Sequence, residues 1–143
     1  MITRLSHSTV FVLDHELAFE FYVGKLGFTV STDVTMETGF RFLTVSPPKQ
    51  PDLNILLMKV ETEAAGPCPI NPLAAELMER ILKESSLGMG VFECDDCRQT
   101  FNELSAKGVK FRSEPTEQFY GIEAILEDPF GNWFSMTQRF ASS

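Results

Sequence analysis

Apolar and polar positions along the chain fall into eight short strand patterns separated by three helical ones. Residues 5–13 are rich in β-branched and aromatic side chains and predict a first strand. Asp14 is placed to cap the helix that follows, in which Leu17, Ala18, Phe21, Tyr22 and Leu26 recur at helical spacing. Gly27 supplies the left-handed residue that ends it. A second strand begins at Phe28. GFRFLTVSPP over 39–48 predicts a third, stopped by prolines that cannot continue a ladder, and LNILLMKV over 53–60 a fourth. A polar, proline-bearing connection over 61–70 leads to a helix capped by Asn71, with Pro72 in its first turn and Leu73, Leu77, Ile81 and Leu82 on one face. It fades at Ser85 and Ser86. Residues 89–94 then open a strand, and Asp96 with Gln99 caps a helix whose buried stripe is Phe101 and Leu104 and whose end is Lys107–Gly108. Strands follow at 109–112, 121–127 and 133–138, the last two joined by the turn DPFGN.

This pattern is stated twice. HSTVFVLDHELAFEFYVGKLGFTV, from His7, is answered by MGVFECDDCRQTFNELSAKGVKF, from Met89. His7 precedes Asp14 by the same seven residues that separate Met89 from Asp96. Shared order of features at modest identity predicts two copies of one βαβββ module, over 5–60 and 87–140, with 61–86 as a linker carrying the extra helix. The two modules together are expected to form a single 143-residue domain.

Composition narrows the partners. Twelve basic against twenty acidic residues give a net charge of −8, which argues against nucleic acid and against anionic membrane surfaces. No apolar run approaches the length of a membrane span, and the first ten residues lack a signal-peptide core. Three cysteines, an odd number, without a secretion signal predict reduced thiols and a cytoplasmic setting.

LAFEFYVGKLGF and the closing EDPFGNWFSMTQ resemble the signature ends of the vicinal-oxygen-chelate superfamily, which includes glyoxalase I, bleomycin-resistance proteins, fosfomycin-modifying enzymes and extradiol dioxygenases. The similarity covers about Leu5 to Arg139. GFRFLTVSPP and EPTEQFYGIEA resemble a bacterial subgroup known only at superfamily level. The resemblance implies an α+β fold in which two βαβββ modules form a curved eight-stranded mixed sheet holding a small molecule on its concave side, and it implies a homodimer. In metal-using members, the first and fourth strands of each module supply four ligands. His7 matches the first position. The second falls on Asn54 or Leu56, Met89 stands where the second module usually has histidine, and Ser135 stands in place of the last-strand glutamate. One good donor remains, so no metal and no cofactor are expected.

Strand alternation gives the remaining candidates. Thr9 and Phe11 should share the face of His7, Val91 and Glu93 that of Met89, and Thr137 and Trp133 that of Ser135. Glu93 is the carboxylate expected on that face, and a His7–Glu93 pair could serve a rebuilt catalytic site. Each residue also has a plainer reading: His7 as a pocket histidine making ordinary hydrogen bonds, Glu93 as a solvated rim acid. Arg41 could pair with an acidic ligand or sit on the surface. Tyr120 could edge the pocket or pack a loop, and Trp133 could stack on a flat or cationic ligand or fill the hollow. The predicted pocket is His7, Phe11, Arg41, Leu56, Met89, Val91, Tyr120, Trp133 and Ser135, with His7 and Glu93 as the catalytic candidates. Cys94 and Cys97 form a CxxC spacing without the second pair that zinc requires, and two intervening aspartates disfavour thiolate. No glycine-rich phosphate loop and no nucleophile triad is present. Two functions remain: a metal-free small-molecule binder of the bleomycin-resistance type, and a lyase- or dioxygenase-like enzyme rearranged around His7 and Glu93. A structural dimeric module is a third.

Overall fold

The computed structural model describes residues 1–62 and 69–141. Most of the predicted 61–70 connection, with Cys68, lies outside the described residues. Contacts divide the chain into two compact units, Met1–Ile81 and Leu82–Ser143.

The first unit holds β1 (His7–Val12), α1 (His15–Phe19), β2 (Thr29–Thr35), β3 (Arg41–Ser46) and β4 (Asn54–Lys59). Asp14 caps α1 as its sequence position predicts: its carboxylate accepts the Leu17 amide at 2.9 Å. The helix does not run on to Leu26 in α form. Glu20–Lys25 is a π-helical turn, closed by the Leu26 amide donating to the Phe21 carbonyl at 2.9 Å. The widened turn lets neighbouring Phe21 and Tyr22 both be buried, their rings edge to face at 4.9 Å. Gly27, at φ 76°, then reverses the chain.

The sheet order is β1-β4-β3-β2, with β1 and β4 parallel and the other pairs antiparallel. Val10, Val12, Leu43, Val45, Ile55 and Leu57 are buried on the side of α1. Alternation then places His7, Thr9, Phe11, Phe42, Thr44, Asn54 and Leu56 on the opposite face.

The second unit repeats this plan with β5 (Gly88–Glu93), α3 (Cys97–Ala106), β6 (Lys110–Gln118), β7 (Gly121–Glu127) and β8 (Trp133–Arg139), in the order β5-β8-β7-β6. Here too the first and last strands are parallel and the rest antiparallel. Asp96 caps α3 by accepting the Gln99 amide at 2.9 Å. The duplicated strand order expected from the two sequence copies is therefore present. The eight strands are hydrogen-bonded as two four-stranded sheets, one per module. On the α3 side, Phe92 stacks on Phe134 with centroids 4.5 Å apart, and Phe101 meets Phe111 edge to face at 4.6 Å. The strand expected at 109–112 extends to Gln118, with two register shifts along its length.

Between the sheets in sequence lies α2 (Pro72–Lys83), whose first turn is capped by the Asn71 side chain accepting the Leu73 amide at 2.9 Å. The expected face is corrected here. Ala75 and Leu82 are buried, whereas Leu73, Leu77 and Ile81 form an exposed stripe. Leu82 and Lys83, at the end of α2, belong to the second unit, where Gly131 (φ 101°) lies so close to the Leu82 carbonyl that a Cβ would sit 2.0 Å from it. The DPFGN turn is locked by Asp128, whose carboxylate accepts the Phe130 and Asn132 amides, each at 2.9 Å, and the Asn132 side-chain amide at 2.8 Å.

Candidate functional site

In the second unit the face opposite α3 carries three rows of paired residues. The middle row runs Val91, Ser135, Ile125, and the next runs Glu93, Thr137, Glu123. Ser135 and Thr137 are buried and 2.8 Å apart through their hydroxyls. Ser135 also donates to Glu123 Oε2 at 2.5 Å, while the Tyr120 hydroxyl donates to Glu123 Oε1 at 2.7 Å. Glu123 was not among the residues singled out from the sequence. The signal was there: GIEAILE alternates acidic and apolar positions, which puts Glu123, Ile125 and Glu127 on one face.

The third row holds Gly88, Trp133 and Glu127. The Trp133 ring lies over Gly88, where any Cβ would come within 2.4 Å of the indole. The Arg112 guanidinium sits 5.5 Å from the Trp133 centroid, so an internal cation already occupies the ring expected to stack on a ligand. Arg112 and Lys110 both pair with the buried Glu127 carboxylate. Burial pushes that acid up, but the two cations outweigh it and hold it below the usual carboxylate range.

Met89 is the extra residue of a bulge, because Gly88 pairs with Trp133 and Gly90 with Phe134. The bulge breaks the alternation that linked Met89 to Val91 and Glu93. Glu93 is exposed and meets Arg139 at 3.3 Å. Val91 is 66% exposed, directly opposite Ser135.

In the first unit, His7 is exposed, its Nδ1 2.9 Å from the Ser6 hydroxyl and its ring 6.1 Å from that of Phe42. It pairs with Asn54, and Thr9 pairs with Leu56. The equivalent pair in the second unit is Val91 with Ser135, because Thr9 and Val91 each stand five residues before their helix cap. Register therefore makes Leu56, rather than Asn54, the counterpart of Ser135. Among the described residues, neither the buried hydroxyl of Thr44, which pairs with Leu56, nor the buried side-chain oxygen of Asn54 has a hydrogen-bond partner.

Arg41 is a correction. It alternates with Leu43 and Val45, on the α1 side of the sheet, and it grips Asp33 through two N–H groups and Glu16 through a third, all at 2.8 Å. The Asp33 hydrogen bond raises the Arg41 pKa, and the same contact lowers that of Asp33. The guanidinium therefore braces the sheet to α1. His15 works beside it: its Nε2 donates to the Leu57 carbonyl at 3.0 Å, and burial lowers its pKa.

Phe11 and Leu56 lie on the face of His7, half-buried, as alternation predicts. His7 and Glu93 belong to different units. Each has a polar partner in its own unit, Ser6 for one and Arg139 for the other.

A family model described as the Glyoxalase/Bleomycin resistance protein/Dioxygenase superfamily matches residues 4–136. The chain belongs to this superfamily. An uncharacterized protein of Bacillus subtilis, YurT, is 35% identical over 133 residues, covering 92% of this chain and 96% of its own. Among solved structures, UcmS2 is 36% identical with a TM-score of 0.86, over 96% of this chain and 98% of its own. TnmS3, described as an antibiotic binding protein from Streptomyces sp. CB03234, is 25% identical with a TM-score of 0.72, over 97% of this chain and 98% of its own.

Members of this superfamily that use a metal need converging imidazole and carboxylate donors. Along β1, β3 and β4, the face opposite α1 offers His7 as its single such donor. In the second unit Glu93 and Glu127 are paired with cations, and Glu123 accepts two hydroxyls. Among the described residues no three His, Cys, Asp or Glu side chains converge. These donors do not fit a divalent ion. The CxxC pair fits one no better. Cys97 is buried and donates to the Met136 carbonyl at 3.5 Å, and burial first, then the neighbouring thiol, pushes the Cys94 thiol up to about 12.

No helix among the described residues is long and apolar enough to cross a membrane.

Proposed function

We propose that this superfamily member is a small-molecule binding protein that takes its ligand on the sheet face opposite α3, without a metal. The observation that carries the reading is the state of Ser135. At the position where metal-using relatives are expected to hold a glutamate, it is a buried hydroxyl tied to Glu123 and Thr137. Such a site suits recognition of polar groups through hydrogen bonds. The description of TnmS3 as an antibiotic binding protein supports the same reading. Its working setting is proposed as the cytoplasm, and its working form as a homodimer. The exposed Leu73, Leu77 and Ile81 stripe supports the dimer as an apolar surface that a second copy would cover.

The test is a thermal-shift screen of aromatic and glycopeptide antibiotics, bleomycin included, with a chelator present. At least one compound should raise the melting temperature in a concentration-dependent way, following mass action. No shift from any compound, together with turnover of the glutathione–methylglyoxal adduct when divalent ions are added, would replace this reading with the enzyme.

A further inference from the structure

The geometry points to Glu123 as the seat of an organic cation: a ligand bearing a protonated amine or guanidinium next to an apolar ring. This rests on the binding reading above and names the chemistry its ligand should have. The second unit contains two carboxylates on the same sheet face that have cationic partners, Glu127 with Lys110 and Arg112, and Glu93 with Arg139. Glu123 has none among the described residues. Both its oxygens accept hydroxyl hydrogens, from Tyr120 and Ser135, which fix the carboxylate without neutralising it. Each carboxylate oxygen has further lone pairs after accepting one hydroxyl. A half-buried, oriented carboxylate with spare lone pairs and no cationic partner among the described residues can accept a charge-assisted hydrogen bond from a cation.

Its surroundings suit an organic cation better than a metal ion. Tyr120 and Phe119 sit edge to face at 4.9 Å, and Phe119 is 96% exposed. The Tyr120 hydroxyl, 2.7 Å from Glu123 Oε1, sets an aromatic side chain next to the carboxylate, where it can meet the ring of such a ligand. One row along, exposed Val91 and half-buried Ile125 flank Ser135 and offer apolar surface to the rest of the ligand. The chain's net charge of −8 draws cations in and repels anions.

The test is an NMR titration of the full chain with phenethylammonium, which joins one primary ammonium to one ring, and with phenethyl alcohol, its neutral counterpart. The ammonium should shift the amides around Glu123, Ser135 and Val91 saturably, and the alcohol should not. Glu123→Gln should weaken the ammonium by about tenfold or more, the scale of a charge-assisted hydrogen bond. Equal shifts from both compounds, undiminished binding in Glu123→Gln, or no saturable shift at all would overturn the assignment. Should Glu123→Gln not fold, the wild-type chain decides: raising the ionic strength should weaken the ammonium, and salt-insensitive binding would overturn the assignment. A chain that takes neutral antibiotics but ignores the ammonium loses the cation assignment and keeps the binding reading. A thermal-shift screen without a single hit removes the binding reading itself.

Discussion

Ser135 donates its hydroxyl hydrogen to Glu123 across the β7–β8 ladder at 2.5 Å, so the carboxylate of one strand is anchored where metal-using relatives are expected to carry a carboxylate of the next. The small hydroxyl at 135 leaves room for the Glu123 carboxylate beside it. Ser135→Ala should cost about 1–2 kcal/mol of unfolding free energy, as loss of a hydrogen bond to a charged acceptor does. Ser135→Glu should cost more, because it sets a second carboxylate against the first. Urea unfolding of the two variants checks the order; a Glu variant as stable as wild type would contradict it.

Glu127 makes a second prediction. Its folded pKa lies below the ordinary value of 4.5, so its contribution is present above that value and lost as pH falls through it toward the folded pKa. Glu127→Gln should destabilise the protein at neutral pH by about 1–2 kcal/mol, moderated because Lys110 and Arg112 are partly in water. The variant should also lose stability less steeply than wild type on acidification. Parallel melting curves against pH read both effects.

His15 titrates in the other range. Burial lowers its pKa from 6.5, so the unfolded chain takes up the proton first. Stability from this group is complete above the ordinary histidine value and is lost as pH falls through it. His15→Gln can keep a side-chain N–H for the Leu57 carbonyl but cannot titrate. Its melting temperature should vary less than that of wild type between about pH 7 and pH 5. An identical pH dependence in the two proteins would contradict this.

The cysteine pair should be inert in the native state. Cys97 is buried and the Cys94 thiol is pushed up to about 12, so alkylation by iodoacetamide near neutral pH should be slow at both and rise sharply in denaturant. Fast native labelling at either position, read by mass spectrometry, would contradict it.

Much of the fold was legible because it is carried by local, repeated chemistry. Asp14 and Asp96 cap helices at equal distances from their strands, and the alternation in β1 and β4 puts Val10, Val12 and Leu57 in the core. What escaped depends on departures from ideal period. The π-helical turn at Glu20–Lys25 and the bulge at Met89 each insert a residue that hydrophobic spacing does not announce. For Arg41 the parity of β3 is the deciding signal: buried Leu43 and Val45, two and four residues on, place it with α1. Glu123 is not legible from its strand alone, whose apolar residues dominate the pattern; the contact with Ser135 is made across strands.

The most direct measurement takes a compound that raises the melting temperature and titrates it calorimetrically, with and without excess chelator, then recovers it for mass spectrometry. One affinity in both buffers and a ligand recovered unchanged are expected if the protein binds without a metal. Binding that disappears with the chelator would contradict the metal-free reading, and a ligand returned chemically altered would make this superfamily member an enzyme.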